Sequence, residues 1–229
     1  MTAVKEHTDK HYEADLIHLR ERVLSMGARV ERMIGIAMRS MVERDSALCQ
    51  EVFELDVEVD RDEREIDELC LSLLAMRQPV ARDLRFITLC MKIVTDLERM
   101  GDLAVNIGER SKDLLSEPPL KPLIDLPRIA ELARGMVRLS LDALVAHDSA
   151  KAREVLERED AVDKLNEQIF RELLTYILED PKAARRAVGL LFVSKHLERI
   201  ADHATNVAEM VIFWVEGKDV RHGTGLMAS

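Results

Sequence analysis

LERMGDLAVNIGE, residues 97–109, has a near copy in LERIADHATNVAE, residues 197–209. Apolar residues recur in both stretches at every third or fourth position, which is the spacing of a packed helix. Each copy also keeps a polar set at fixed places, which comprises Glu98, Arg99, Asp102, Asn106 and Glu109, then Glu198, Arg199, Asp202, Asn206 and Glu209. The repeat predicts a duplicated helical fold and marks the polar set as a candidate for function.

The duplication extends to an earlier pair of segments. RDSALCQEVFELDVEVD (44–60) matches HDSAKAREVLEREDAVD (147–163). The prolines lie at breaks between long segments with helical spacing, at positions 79, 118, 119, 122, 127 and 181. The predicted helices span about 11–43, 46–76, 81–115, 127–146, 149–178 and 183–216. Two similar three-helix units with short connections predict an all-α protein of two tandem antiparallel three-helix bundles.

This pattern divides the chain into four parts. We expect a first bundle at residues 1–116, a proline-rich linker at 117–126, a second bundle at 127–216 and a loose tail at 217–229. The Asp45-Ser46 and Asp148-Ser149 pairs provide N-cap side chains for the second helix of each bundle.

Composition excludes several classes of protein. The net charge of −10 argues against a nucleic-acid partner, which requires a concentrated basic face. No apolar run is long enough for direct membrane insertion, and the charged N-terminus does not resemble a signal peptide. Cys49, Cys70 and Cys90 are scattered singly, as is typical of reduced packing thiols. We therefore expect an acidic, cytoplasmic protein.

The acidic residues form a stripe on each helix of a hairpin. At 100° per residue, Glu98, Asp102 and Asn106 lie on one edge of the apolar face of their helix. Asp56 and Asp60 lie on the matching edge of the preceding helix, and folding the chain at Pro79 brings the two pairs level. The same reasoning applies to the second half, where the turn is at Pro181.

Each half is thus predicted to hold a groove lined by four carboxylates and one amide. The candidate ligands are Asp56, Asp60, Glu98, Asp102 and Asn106 in one groove and Glu159, Asp163, Glu198, Asp202 and Asn206 in the other. Oxygen ligands of this kind suit Mg²⁺, Mn²⁺, Ca²⁺, iron or Zn²⁺, and carboxylates can bridge several ions. The alternative is a solvated acidic flank paired with Arg99, Lys92 or Arg199.

The chain resembles the PhoU family of phosphate-uptake regulators over nearly its whole length. The matching stretches are RQPVARDLR (77–85), DLERMGDLAVNI (96–107), LEDP (178–181), LERIADHATNVAE (197–209) and VEGKDVRH (215–222). The resemblance implies two three-helix bundles whose E(D)xxxD motifs hold multinuclear iron or zinc clusters. These motifs map onto Asp56/Asp60, Glu98/Asp102, Glu159/Asp163 and Glu198/Asp202.

The resemblance also implies a function. Family members are cytoplasmic negative regulators that link the phosphate ABC transporter, through its ATPase subunit, to a sensor histidine kinase. We accordingly expect these two partners and a homodimer. One departure is the second half, where Asn166 and Phe170 replace Glu63 and Asp67, so its groove is expected to hold fewer ions.

Two rival functions remain open from the sequence. A carboxylate-bridged di-metal enzyme would place Glu-x-x-His pairs inside a four-helix core, and neither acidic motif has that spacing. A purely structural helical scaffold would leave its acidic edges empty. Since no nucleophile–base set or phosphate-binding loop is present, we expect no enzymatic turnover. His196 and His203 point away from the acidic stripe, and His147, which replaces Arg44, is expected to be exposed.

Overall fold

The computed structural model describes residues 10–77, 79 and 81–217. Over these ranges the chain is all-α, with six long helices, one short 3₁₀ turn and no strand. The helices are α1 (Lys10–Glu43), α2 (Ser46–Arg77), α3 (Ala81–Leu114), α4 (Asp125–Ala146), α5 (Ser149–Glu179) and α6 (Ala184–Glu216). The 3₁₀ turn, Pro181–Ala183, leads into α6. The predicted all-α class is confirmed.

Helix ends follow the local capping chemistry. The Asp45 carboxylate accepts a hydrogen bond from the Ala47 amide at 2.8 Å, and Asp148 accepts from the Ala150 and Lys151 amides. Gly217 ends α6 in the left-handed conformation, with φ 71°. Most of the predicted tail lies outside the described residues.

Helix α4 differs from the prediction because it begins at Asp125 rather than residue 127. Leu126 is buried and Gln168 of α5 donates to the Asp125 carboxylate at 3.2 Å, so packing extends the helix backwards. Pro127 then lies within the first turn, where its missing N–H is not needed.

Contacts between helices define the up-down-up order of the first bundle. Arg22 contacts Glu65 and Arg32 contacts Glu51, so residue numbers rise on α1 while they fall on α2. In contrast, α1 and α3 run parallel, because Tyr12 donates to Asp83 near their starts and the Ser40 hydroxyl donates to Ser111 near their ends. The apolar sides of all three helices face one another in a core of Leu, Ile, Val and Met side chains.

The two bundles pack against each other through α3 and α6 and through α1 and α4. His203 of α6 contacts Asp96 of α3 with 2.8 Å between Nδ1 and Oδ1. Further along the same pair of helices, the Arg110 guanidinium lies 6.0 Å from the centre of the Phe192 ring. Helices α3 and α6 are therefore antiparallel, and their contact forms part of one continuous core.

The cysteines are free and buried, as expected for packing thiols. The sole tryptophan, Trp214, is also buried and packs 4.1 Å from the His147 ring and 5.2 Å from the Phe86 ring. The expectation that His147 is exposed is wrong. It is half-buried, and Arg20 and Arg82 each contact one of its ring nitrogens. None of the helices in the described ranges has a stretch sufficiently long and apolar to span a bilayer.

Candidate metal grooves

The first acidic groove forms where α2 passes closely over α3. Gly101 of α3 faces α2, and a Cβ at that position would lie in ordinary contact with α2, 3.4 Å from Val59 and 3.6 Å from the Asp56 Oδ1. Asp56 is therefore held over the α3 backbone, one residue before Asp102. This contact places the two acidic motifs at the same level, as the position of the proline turn predicts.

Two carboxyl groups of this groove, those of Asp56 and Glu98, have raised pKa values. Burial raises the pKa of Asp56 to about 6, and the charges of Asp60 and Asp102 add to the effect. Burial likewise raises the pKa of Glu98, with Asp102 as the main charged contributor and Glu63 as a lesser one. Acidic side chains from α2 and α3 thus share one environment that disfavours their combined negative charge.

Arg99 partly offsets this charge. Its Nε lies 3.4 Å from Glu98, and its Nη1 donates to Asp102 at 3.5 Å. Both contacts are long, and the Arg99 side chain is more than half exposed, so the pairing is weak. The first groove therefore combines features of both sequence interpretations: local arginine pairing and a surplus of carboxylates.

The second groove repeats the arrangement between α5 and α6. Burial raises the pKa of Glu159, with Asp163 and Asp202 as the leading charged neighbours. The pKa of Asp163 is raised by burial and then by the charge of Glu198. The pKa of Asp202 is raised for the same two reasons. Each of the four carboxylates predicted for this groove therefore lies near at least two of the others, with Asp163 and Asp202 between Glu159 and Glu198.

Glu198 carries the most distinctive atom of the second groove. Its Oε2 is buried without a hydrogen-bond donor. Lys195 contacts the same oxygen as an ion pair, but the contact lacks hydrogen-bond geometry. Because the Lys195 ammonium already offsets the charge of this oxygen, a metal ion at Glu198 would have to displace Lys195.

The two asparagines and nearby histidines differ in what they contact. The Asn206 amide donates to Asp96 of α3 at 3.4 Å and is thereby tied to the other bundle. His203 contacts the same carboxylate, as expected for a histidine that points away from the acidic stripe. Asn106 is half-buried on α3. In the second half, Asn166 accepts a 2.6 Å hydrogen bond from Ser194, so the residue that replaces Glu63 joins α5 to α6.

The carboxylates share a groove without converging on one point. Among residues 10–77, 79 and 81–217, no three His, Cys, Asp or Glu side chains are arranged as a ready metal site. Their chemistry nevertheless fits a hard or borderline cation, because the donors are carboxylate oxygens with raised pKa values. Binding would require side-chain rotation, which partly exposed carboxylates on helix surfaces can undergo.

Sequence reasoning missed one buried carboxylate outside the grooves. Asp62 is 4% exposed and faces α1, where Arg22 donates to it at 3.0 Å and Arg29 contacts its other oxygen. The corresponding residue of the second repeat is Leu165, which is also buried. The sequence did contain a signal for this burial: the first repeat has an aspartate at a position where the second repeat has an apolar residue.

Comparison with known proteins identifies the family. A family model described as PhoU domain matches residues 23–111 and 126–211. The chain is 38% identical over 221 residues to the phosphate-specific transport system accessory protein PhoU homolog of Pseudomonas putida, covering 96% of this chain and 86% of that protein. It is 43% identical over 208 residues to the homolog of the same name from Aquifex aeolicus, covering 91% of this chain and 94% of that protein.

Solved structures agree with this assignment. The crystal structure of PhoU from Pseudomonas aeruginosa matches with a TM-score of 0.87 at 38% identity, covering 90% of this chain and all of that one. The PhoU structure from Streptococcus pneumoniae, at 24% identity and a TM-score of 0.84, supports the fold. Because the curated relatives are named as accessory proteins of the PhoU family, the expectation of no enzymatic activity is confirmed. Two matching domains in tandem and similarity over almost the whole length show that the chain belongs to the PhoU family.

Proposed function

We propose that this protein is a negative regulator of phosphate uptake and of the phosphate-starvation response. It acts as an adaptor between the phosphate ABC transporter, through its ATPase subunit, and the sensor histidine kinase that reports phosphate supply. The observation that carries the proposal is the match over 96% of the chain to a protein named as an accessory of the phosphate-specific transport system. We further propose that it works in the cytoplasm as a homodimer.

The acidic grooves supply the metal-binding part of the proposal. Four carboxylates in each groove would hold iron or zinc, with manganese or magnesium as further candidates. The raised pKa values of Asp56 and Asp202 support this assignment, since a bound cation would offset the repulsion between neighbouring carboxylates. The proposed ligands are Asp56, Asp60, Glu98, Asp102 and Asn106, then Glu159, Asp163, Glu198, Asp202 and Asn206.

Deletion of the gene tests the regulatory role. A reporter for a phosphate-starvation gene should stay active in phosphate-rich medium in the deletion strain, and the wild-type gene should restore repression. Normal repression in the deletion strain would refute the proposal.

The adaptor role needs a separate test. Tagged protein from phosphate-replete cells should retain the transporter ATPase subunit and the sensor kinase. Repeating the pull-down with Glu98→Ala and Glu198→Ala shows whether the grooves contribute. If neither partner co-purifies with the wild-type protein, the adaptor role is contradicted. If both partners co-purify equally well with the two variants, partner binding does not depend on the metal ligands.

A further inference from the structure

An apolar groove lies on the surface between α5 and α6, beside the second acidic groove. Phe170 of α5 and Phe192 of α6 line it, and each is 52% exposed. Val188 and Leu191 complete its apolar wall. Two large aromatic side chains half exposed in one groove are unusual in a chain that has only five phenylalanines.

The groove is a property of the second repeat and not of the fold. The offsets between the repeats, 103 on α5 and 100 on α6, align Phe170 with Asp67 and Phe192 with Lys92. Val188 aligns with Thr88 by the same offset. The first bundle therefore shows polar side chains to solvent at all three positions, so packing of the three helices does not require apolar ones there.

The apolar surface continues along α5 as a stripe. Leu174 and Leu178 follow Phe170 at intervals of four residues, and they are 42% and 75% exposed. Residues spaced in this way lie on one helix face, and the eight steps from residue 170 to residue 178 rise about 12 Å along the helix axis. The stripe and the groove together offer a contact surface about two turns long.

The opposite end of the groove is acidic. Asp163, Glu167 and Glu198 line it there, and Lys195 is the basic residue among the lining side chains. Lys195 pairs with Glu198, and Glu167 has Arg171 as its partner. The rim then continues into the carboxylates of the second acidic groove. The surface thus has an apolar end and a negative end.

We propose that this surface, the α5–α6 groove, docks an amphipathic helix of a partner protein. The partner helix carries apolar side chains at i, i+3, i+4 and i+7 and basic residues at the end that meets Asp163 and Glu198. Charge complementarity selects this occupant, because the carboxylates at the negative end of the groove attract basic side chains and repel an anionic membrane surface.

The inference rests on the adaptor part of the proposed function. Asp163 and Glu198 are also proposed metal ligands, so the negative end exists only while no cation occupies the second acidic groove, and the peptide test is run in chelator.

The inference places one partner contact on the second bundle. The first bundle has polar residues at the positions equivalent to Phe170, Val188 and Phe192, and it keeps an exposed leucine, Leu71, at the position equivalent to Leu174.

A synthetic peptide provides a direct test on the full-length protein. The probe is a fluorescein-labelled amphipathic peptide of about 16 residues, with leucines at i, i+3, i+4 and i+7 and three lysines at one end. A second peptide replaces the lysines with glutamates. Anisotropy titration in chelator should show binding of the lysine peptide at least about tenfold tighter than binding of the glutamate peptide.

Three variants locate the binding site. Phe192→Asp should weaken binding of the lysine peptide by about tenfold or more, because it places a charge in the apolar wall. Glu167 is exposed, so Glu167→Lys leaves the core unchanged. This variant should bind the lysine peptide more weakly and the glutamate peptide more tightly than the wild-type protein does. Leu71→Asp, on the exposed face of α2, is the matched control and should leave binding unchanged.

Several outcomes would overturn the inference. Equal binding of the two peptides, or wild-type binding by a folded Phe192→Asp variant and by Glu167→Lys, would show that the groove does not dock a basic helix. A dimer that Phe170→Asp converts to monomer in sedimentation velocity would assign the surface to a second copy. Binding of wild type, but not Phe192→Asp, to phosphatidylglycerol vesicles would assign it to lipid.

The proposed function is tested separately from the groove. If the peptides fail to bind while the transporter ATPase subunit still co-purifies with wild-type protein, the adaptor role stands and the groove assignment fails. If the lysine peptide binds as expected while neither partner co-purifies, the groove stands as a docking site and the adaptor role fails.

Discussion

Asp56 of α2 packs over Gly101 of α3, and its Oδ1 would lie 3.6 Å from a Cβ at position 101. That distance is an ordinary van der Waals contact, so a methyl group fits without moving the helices. Gly101→Ala should therefore raise the free energy of unfolding by about 0.5–1 kcal/mol, since alanine is the better residue inside a helix. Urea denaturation monitored by circular dichroism measures the change.

Gly27→Ala is the matched control for this prediction. Its added Cβ would lie 2.3 Å from the Leu141 Cδ1, so α1 and α4 would have to separate or Leu141 would have to rotate. This variant should lower the free energy of unfolding. If Gly101→Ala also lowers it, α2 and α3 approach more closely than the structure shows.

Asp56 should make the stability of the metal-free protein depend on pH. Its pKa is raised from 3.8 to about 6, so the folded protein holds this proton more tightly than the unfolded chain. The ionised carboxylate destabilises the fold above pH 6, and this cost is relieved as the pH falls from 6 towards 4. Asp56→Asn should stabilise the protein at pH 7.5 by on the order of 1 kcal/mol, after allowance for solvent screening.

The gain from Asp56→Asn should disappear near pH 4. Thermal melts in chelator at pH 7.5, 6 and 4 give the comparison. Glu157 is an exposed carboxylate on α5, so the control variant Glu157→Gln should change the melting temperature little at each pH. A stabilisation by Asp56→Asn that is constant across this range would contradict the raised pKa.

Metal removal should destabilise the wild-type protein. Bound cation stabilises the fold by about 2.7 kcal/mol when free metal is a hundredfold above its dissociation constant. Chelation should lower the melting temperature, and iron, manganese or zinc should restore it. In Glu98→Ala/Asp102→Ala the response should shrink, while the metal-free protein is no less stable because the repulsion is relieved.

Glu68→Ala is the control for metal binding, since this exposed α2 carboxylate lies outside both candidate ligand sets. It should keep the full wild-type response. Absence of any metal response in wild-type protein near neutral pH would mean that both grooves are solvated acidic flanks.

Asp62 should matter more for folding than any exposed carboxylate. Its loss leaves Arg22 and Arg29 without the buried carboxylate that they share. Asp62→Ala should lower the free energy of unfolding by about 1.5–3 kcal/mol, because it removes the buried acceptor of two charge-assisted hydrogen bonds while Glu65 and Glu58 still pair with the arginines. Glu65→Ala removes an exposed partner of the same Arg22 and should cost about 0–1 kcal/mol. If chemical denaturation shows that Asp62→Ala and Glu65→Ala lower the free energy of unfolding by the same small amount, the structural role of Asp62 is contradicted.

The sequence alone determined the six helices, their duplication and the alignment of the acidic motifs. Each of these depends on information that is local in the chain. Caps at Asp45 and Asp148 and prolines at the turns specify where helices begin and end, and the helical period places Glu98 and Asp102 on one stripe. A hairpin folded at its turn then brings Asp56 to the level of Gly101, because the two helices are adjacent in sequence.

Only the tertiary structure decided contacts between elements distant in sequence. The periodicity of α2 does not reveal that Asp62 faces two arginines of α1, nor does that of α6 reveal that His203 and Asn206 meet Asp96 of α3. Such contacts depend on the rotation and crossing of packed helices, which many side chains specify jointly and no single helix encodes. For the same physical reason, His147 lies half-buried against Trp214 although its own segment predicts an exposed turn.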